Sequence, residues 1–267
     1  MSPGAEIAIR VGAAAAIFAA MVLWEILWPR RNLSIGRKGR WPGNIGVWLV
    51  DSLLVRVLVP AAAVGAAVVA AERGWGLFHV LGWPGLLAGV AGFLILDLAI
   101  YAQHYAFHHV PVLWRLHRMH HADIDIDVTT GVRFHPFEIL ISIAIKIGLV
   151  LALGIPALAV VAFEVVLNAT SMFNHANVTM PRNMDRVLRL IVVTPDMHRV
   201  HHSIYRHETD SNFGFNLPWW DWLFRTYRAQ PRDGHTAMDL GIPQFRRADE
   251  SRLDRLLTQP FRDDRPA

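Results

Sequence analysis

DLAIYAQHYAFHHVPVLWRLHRMHH, residues 97–121, is the stretch from which the rest of the chain can be read. It opens as the end of an apolar run and contains six histidines: His104, His108, His109, His117, His120 and His121. On a helix, Asp97, Tyr101, His104 and His108 fall at i, i+4, i+7 and i+11 and share one stripe. Pro111 ends or kinks that helix, because it has no N–H to donate and its ring clashes with the preceding turn. In the helical piece that follows, His117 faces the same side as His120 and His121, at i+3 and i+4. Five imidazoles therefore converge where an apolar segment runs out. Almost the same word returns downstream, HRMHH at 117–121 and HRVHH at 198–202. Two three-histidine faces and one two-histidine face suit a site for two metal ions.

Working outward, the composition fits a membrane protein, with 53% hydrophobic residues and a mean hydropathy of +0.30 over 267 residues. The net charge of +4 is almost wholly arginine, Lys38 and Lys146 being the only lysines. Residues 7–28 are apolar apart from Arg10 and Glu25, and as a helix would cross a bilayer. They end in Trp-Pro-Arg-Arg rather than a small-residue cleavage site, which favours an anchor over a signal peptide. Arg30, Arg31, Arg37, Lys38 and Arg40 then form a basic loop, which the positive-inside rule places in the cytosol with the N-terminus outside. Residues 45–71 read as a second span with Pro60 inside it, and residues 85–106 as a third, delivering His104 and His108 to the cytosolic side. Residues 138–153 and 155–173 read as a hairpin, spanning or re-entrant. Lys146 and Glu164 lie at matching depth on its arms and are expected to pair, since an isolated charge there is costly.

The expected fold is thus all-α: a membrane bundle of three spans plus a hairpin, with a cytosolic histidine-rich helical cap. The expected division is 1–96 for the N-terminal membrane helices, 97–227 for the histidine-bearing domain with its hairpin at 138–173, and 228–267 for a polar, basic tail with little structure. There is no cysteine, so disulfides, thiolate metal ligands and thiol catalysis are excluded. Nucleotide-binding and HExxH motifs are also missing, and nothing points to nucleic acid as a partner.

Eleven of the 14 histidines lie between 104 and 202, His79, His207 and His235 being the others. Any one of them alone would read as a surface residue. Buried together without metal, unsatisfied imidazoles at roughly 1–3 kcal/mol each would rival the stability of the whole fold. Coordination removes that difficulty. Neutral imidazole suits iron, zinc, copper or nickel. A structural zinc closes with four ligands, and the Glu-x-x-His pairs of soluble di-iron carboxylate proteins are missing. A zinc hydrolase and a non-enzymatic histidine-rich metal-binding membrane protein remain alternatives to an oxygenase.

The chain resembles the fatty acid hydroxylase/sterol desaturase superfamily of membrane di-iron oxygenases. The matching words are DLAIYAQHYAFH at 97–108, LWRLHRMHH at 113–121, RFHPFE at 133–138, HAN at 175–177, TPDMHRVHHS at 194–203 and NFG at 212–214 leading to WDWLFRTY at 220–227. Arg225 stands where relatives often have Gly, and Tyr105 follows the first histidine where Arg is common. The resemblance implies that His104, His108, His117, His120, His121, His175, His198, His201 and His202 bind two iron ions, with O2 as co-substrate. His135 is left between a tenth ligand or supporting group and a helix-start residue before Pro136. Asp97 and Asn177 are expected to orient ligand imidazoles, Asn177 through His175, as carboxylates and carbonyls commonly do. His109 is expected to face away from the cluster, and His207 and His235 to be exposed.

The function expected is hydroxylation or desaturation of an unactivated C–H bond of a lipid entering from the bilayer. Electrons would come from a separate protein, a ferredoxin or a cytochrome b5-like carrier with its reductase. Arg228, Arg232, Arg246 and Arg247 offer a basic docking face for it. The expected location is a bacterial inner membrane, with the histidines and C-terminus cytosolic. The Trp-rich segment 218–227 is left open between interfacial belt, substrate wall and packing.

Overall fold

The computed structural model describes residues 3–263; residues 1, 2 and 264–267, the outer ends of the expected N-terminal and tail segments, lie outside them. The described residues form helices and loops with no strand, only two isolated bridges. The first helix, α1 (Pro3–Leu27), is followed by α2 (Arg37–Leu58), α3 (Ala62–Arg73), the single turn α4 (Leu77–Val80) and α5 (Gly85–His109). Next come α6 (Pro111–His121), α7 (Pro136–Leu153), α8 (Ala157–Asn174), α9 (Arg182–Leu188) and α10 (Pro195–His201). The chain closes with α11 (Arg206–Thr209), α12 (Trp219–Leu223), α13 (Gly234–Ala237) and α14 (Leu253–Thr258). Among the described residues four stretches are long and apolar enough to cross a membrane: Arg37–Val80 taken together, Gly85–His109, Pro136–Leu153 and Ala157–Asn174.

Proline and glycine set the breaks. Span two is not one rod, as the sequence suggested, but is split at Pro60. Val59 before it leaves the helical region (φ −138°, ψ 61°), as a pre-proline residue is driven to do, and α3 restarts beyond. Pro111 is the first residue of α6, so the chain bends at Val110 and continues helical. Gly154 ends α7 in the left-handed conformation (φ 73°) that only glycine adopts freely, and Pro156 precedes α8. The tip of this hairpin rests on the turn after α3: a Cβ on Gly76 would sit 2.1 Å from the Gly154 nitrogen. The hairpin therefore reaches the end of the bundle farthest from the histidines. An apolar core that includes Ala67, Leu96, Ile100, Val160 and Phe163 joins α3, α5, α7 and α8.

Lys146 and Glu164 pair across the hairpin, Nζ to Oε1 at 2.8 Å. Reversing either charge alone sets two like charges together in a poorly hydrated interior, at about 3–5 kcal/mol. Lys146→Glu and Glu164→Lys are each expected to lower the melting temperature of the detergent-extracted protein, and the double reversal to restore most of it. A double variant no more stable than the worse single one would show that the pair does not act as a unit.

The loop between α6 and α7 is not a loose polar segment. Arg40 of α2, with no exposure, donates to Asp123 at 2.7 and 2.6 Å and to Asp127 at 2.7 Å. Asp125 accepts the free backbone N–H groups of Ser34, Ile35 and Gly36 at 2.7, 2.6 and 3.1 Å, capping α2 from a distance. Glu25, near the end of α1, takes the N–H of Val128 at 2.7 Å and of Asn177 at 2.8 Å. The first two helices thereby hold the loops that flank the histidines.

The tail is a correction. Expected to have little structure, it packs against the bundle as far as it is described. Leu256 is fully buried with Val47 of α2 and Met119 of α6, and Arg115 and Arg118 of α6 donate to the carbonyls of Pro260 and Gln259. Leu253, Leu256 and Leu257 form a short i, i+3, i+4 stripe, which the surrounding charge conceals in the composition. Three of the four expected docking arginines are also engaged locally: Arg246 with the Leu240 carbonyl, Arg247 with Asp249 and Arg232 over the Tyr205 ring.

Candidate metal centre

His104 and His108 come from the last turns of α5, and His117, His120 and His121 from α6. His175 caps α8, His198 and His201 lie on α10, and His202 caps it. The nine expected histidines all meet, and none is more than 6% exposed. They form two groups, His104, His108, His117, His121 and His201 in one and His120, His175, His198 and His202 in the other. Within each group one ring nitrogen per residue lies within 4.8 Å of every other. HRMHH thus divides between the groups, as does HRVHH.

The proton positions follow from what each Nδ1 touches. Those of His104, His120, His175 and His201 meet the carbonyl oxygens of Phe213, Arg133, Ser171 and Ser211, at 2.9, 3.2, 2.7 and 2.7 Å. A carbonyl only accepts, so each Nδ1 carries the proton and each Nε2 presents a bare lone pair. Burial, then the neighbouring imidazoles, hold His120 well below its ordinary range; burial lowers His175 to about 4 and His201 to about 3. These rings are neutral at pH 7. Yet the Nε2 atoms of His120 and His175 lie 3.1 Å apart, lone pair toward lone pair. In the other group the Nε2 atoms of His104, His117 and His201 have no hydrogen-bond partner. A cation between such nitrogens turns this repulsion into coordination, so the residues fit metal ions. With no thiolate present, the donor set is imidazole throughout.

The supporting residues differ from those expected. Asp97 does not touch an imidazole; its Oδ2 accepts from the Trp220 indole at 2.7 Å and the Leu217 N–H at 3.3 Å, tying α12 to α5. Asn177 does not reach His175, which already uses the Ser171 carbonyl one turn back; its side chain bonds the backbone of Arg31 at 3.0 and 2.8 Å. His135 is the N-cap of α7, accepting from the Phe137 N–H at 3.3 Å. His109 is exposed and bonds the Tyr105 carbonyl, and His207 is exposed, both as expected. His235 is buried against Gln230, contrary to expectation, and burial lowers it to about 4.

The groups that do orient the rings are Glu138, which accepts from His117 Nδ1 at 2.7 Å, and Asp210, which faces His108 Nδ1 at 3.3 Å. A carboxylate in the first turn of a helix whose only other charge is Lys146 was the available signal for Glu138. Asn212 works through the backbone. Its left-handed conformation (φ 53°), tolerated by asparagine, turns the carbonyls on either side of it toward His201 and His104. Its amide bonds the carbonyls of Met197 and Arg228 at 2.9 and 2.8 Å. Asp221 accepts the N–H groups of Phe213 and Gly214, both at 2.8 Å, and a Cβ on Gly214 would approach it to 2.7 Å. Burial raises this carboxyl to about 6, against the pull of those hydrogen bonds. The Trp segment is split: Trp220 packs on Asp97, whereas Trp219 and Trp222 are 41% and 40% exposed.

A cavity of about 390 Å3 opens beside the first group, walled by residues of α2, α5, α7 and α8 and by His104 and His117 themselves.

An all-helical protein with membrane-length helices and two buried histidine groups able to bind metal is the class that fold and site define. Residues 89–226 match the fatty acid hydroxylase family model, just over half the chain, and the protein belongs to that family. It is 34% identical over 160 residues to ornithine lipid hydroxylase OlsE of Rhizobium tropici, covering 60% of this chain and 47% of that one. To alkylglycerol monooxygenase of Homo sapiens it is 32% identical over 151 residues, 56% of this chain and 33% of the relative. To very-long-chain aldehyde decarbonylase GL1-7 of Oryza sativa subsp. japonica it is 29% identical over 140 residues, 49% and 21%. The match spans less than half the length of each of these relatives. No solved structure matches the chain.

Proposed function

We propose that the protein is a membrane di-iron oxygenase that hydroxylates or desaturates a lipid C–H bond with O2 and electrons from a separate donor. The observation that carries this is the pair of neutral imidazoles, His120 and His175, whose Nε2 lone pairs face each other at 3.1 Å. His104, His108, His117, His121 and His201 would hold one iron, and His120, His175, His198 and His202 the other. The bound irons supply activation of O2 for removal of hydrogen from carbon.

The chain supplies the rest. Hydrogen bonds at Nδ1 hold His104, His117, His120, His175 and His201 in one tautomer, so no reorganisation is needed on loading. Phe134 stacks on His120 at 4.5 Å, and Phe215 lies beside it, against His175 and His198, so that the two rings shield this side of the site. The cavity brings the substrate carbon beside His104 and His117. Hydroxylation consumes one O2, two electrons and two protons and releases one water. With no flavin or nicotinamide motif in the sequence, the electrons come from a ferredoxin or a cytochrome b5-like protein. The names of the relatives support a lipid substrate.

The ligands all lie in 97–227, the segment read as the oxygenase domain, but Arg40 and Leu256 show both flanks contributing to its walls. The basic loop sits at the histidine end, Arg30 bonding Asp196 at 2.9 Å, which favours a cytosolic site in a bacterial inner membrane. The purified protein is expected to hold about two irons per chain and to consume O2. Lipid extracts of cells with the gene should show species shifted by about +16 Da for hydroxylation or about −2 Da for desaturation. One zinc per chain with no oxygen uptake would replace this reading with a hydrolase.

A further inference from the structure

We infer that the cavity beside the histidines receives the head of its lipid rather than the tail, and that Asp51 selects a head bearing a free amine. This rests on the lipid-oxygenase reading above and names the substrate class of that same site. The walls include Asp51, Gln103, Glu138, Ser142, Lys146 and Glu164 as well as two of the imidazoles. Bare methylenes filling such a space would leave Asp51 Oδ1 and Gln103 Oε1, which no group of the protein meets, without water or partner, at a few kcal/mol apiece. A polar head answers them.

The charges narrow the choice. The cavity holds three carboxylates and one lysine. Lys146 is bound to Glu164, and Glu138 accepts from His117. Asp51 is left. It is 6% exposed, its Oδ1 has no hydrogen-bond partner, and it faces the cavity from α2 between Trp48 and Val55. A buried ionisable group within a membrane-length helix is costly unless something meets it, and no side chain among the described residues does. An ammonium head brings both the missing charge and up to three donors. A phosphate or carboxylate head would instead bring its charge against Asp51 and Glu138, with the one lysine already taken by Glu164. Because His104 and His117 bound the same space, the carbon oxidised should lie near the head, not at the far end of an acyl chain.

The test compares dodecylamine, dodecanol and dodecanoate binding to the metal-loaded protein in phosphatidylcholine nanodiscs by calorimetry, with empty discs subtracted. The wild type is expected to prefer the amine over the alcohol by about tenfold or more, the worth of one charge-assisted hydrogen bond, with dodecanoate weakest. Asp51→Asn, nearly isosteric, should bring amine and alcohol to within about twofold of each other. Equal binding of amine and alcohol by the wild type, an undiminished preference in Asp51→Asn, or no binding of any probe would overturn the inference. In cells, fragmentation should place the new oxygen or double bond near an amine-bearing head; a product altered only at the distal tail, or only in amine-free lipids, would overturn it too. Iron content and O2 uptake are read separately, so the amine preference can fail while the oxygenase reading stands, or the reverse.

Discussion

His120→Ala is expected to reduce bound iron from about two per chain to one or none and to lower lipid oxidation by at least 100-fold, since losing only a group that orients a ligand already costs 10–100-fold. His120 belongs to the smaller group, where four imidazoles are available and none is spare. Its ring is fixed from both ends, Nδ1 on the Arg133 carbonyl and Nε2 opposite His175, and its face lies on Phe134. Alanine removes the donor and leaves a ring-sized void in a site with no solvent access. His109→Ala is the matched control: it deletes an exposed imidazole from the same stretch, bonded only to the Tyr105 carbonyl, and should leave iron and turnover unchanged. Iron per chain and the +16 or −2 Da products, with helicity checked by circular dichroism, decide it. Two irons and full turnover in His120→Ala would refute the ligand assignment.

The second large effect concerns Arg40, far from the histidines in sequence. Arg40→Met leaves the buried carboxylate of Asp127 without its cation and that of Asp123 with only Arg133, at 3.7 Å, a loss of about 3–5 kcal/mol. The melting temperature should fall by roughly 6–20 °C, and iron should leave more readily as the loop after α6 loosens. Arg40→Lys should not rescue it, because one ammonium cannot reproduce a planar fork that spans two carboxylates. The triple variant Arg40→Met, Asp123→Asn, Asp127→Asn should recover part of the loss. The pH dependence has a definite sign. Burial alone would raise Asp123, but Arg40 and Arg133 hold it down at about 2. A carboxyl depressed on folding contributes stability that is present above its unfolded value near 3.8 and lost as pH falls toward 2. Without Arg40 most of that depression goes, Arg133 staying 3.7 Å away, so the gap between Arg40→Met and wild type should hold from pH 7 to about pH 4 and narrow from there toward pH 2. A gap that stays constant throughout would mean the effect is packing rather than charge.

Much of the site was legible because its signal is local. Three imidazoles at i, i+3 and i+4 share a face in any helix, so HRMHH and HRVHH could be read without knowing where those helices lie. The Lys146–Glu164 pair followed from depth along two arms of a hairpin. Asp97 misled because proximity along a helix is not direction: it lies on the histidine stripe but is taken by Trp220 from α12. The folded tail was hidden because three leucines among many charges do not move a composition average, although they suffice to cover Met119.

Taken alone, the sequence determined the apolar helices and where they break, the absence of thiolate ligands, and which eight histidines had faces suited to metal, His175 being added only by the family resemblance. It did so because hydropathy, proline and the 3.6-residue period act within a few residues of themselves. Only the tertiary structure decided that five rings meet in one group and four in the other, and which oxygen holds each Nδ1. His104 is set by a carbonyl at Phe213, 109 residues away, and His117 by a carboxylate on the next helix. Backbone carbonyls are present at every residue and carry no side-chain signature. Which of them turns toward an imidazole depends on how distant segments pack, and that is settled only when the chain closes on itself.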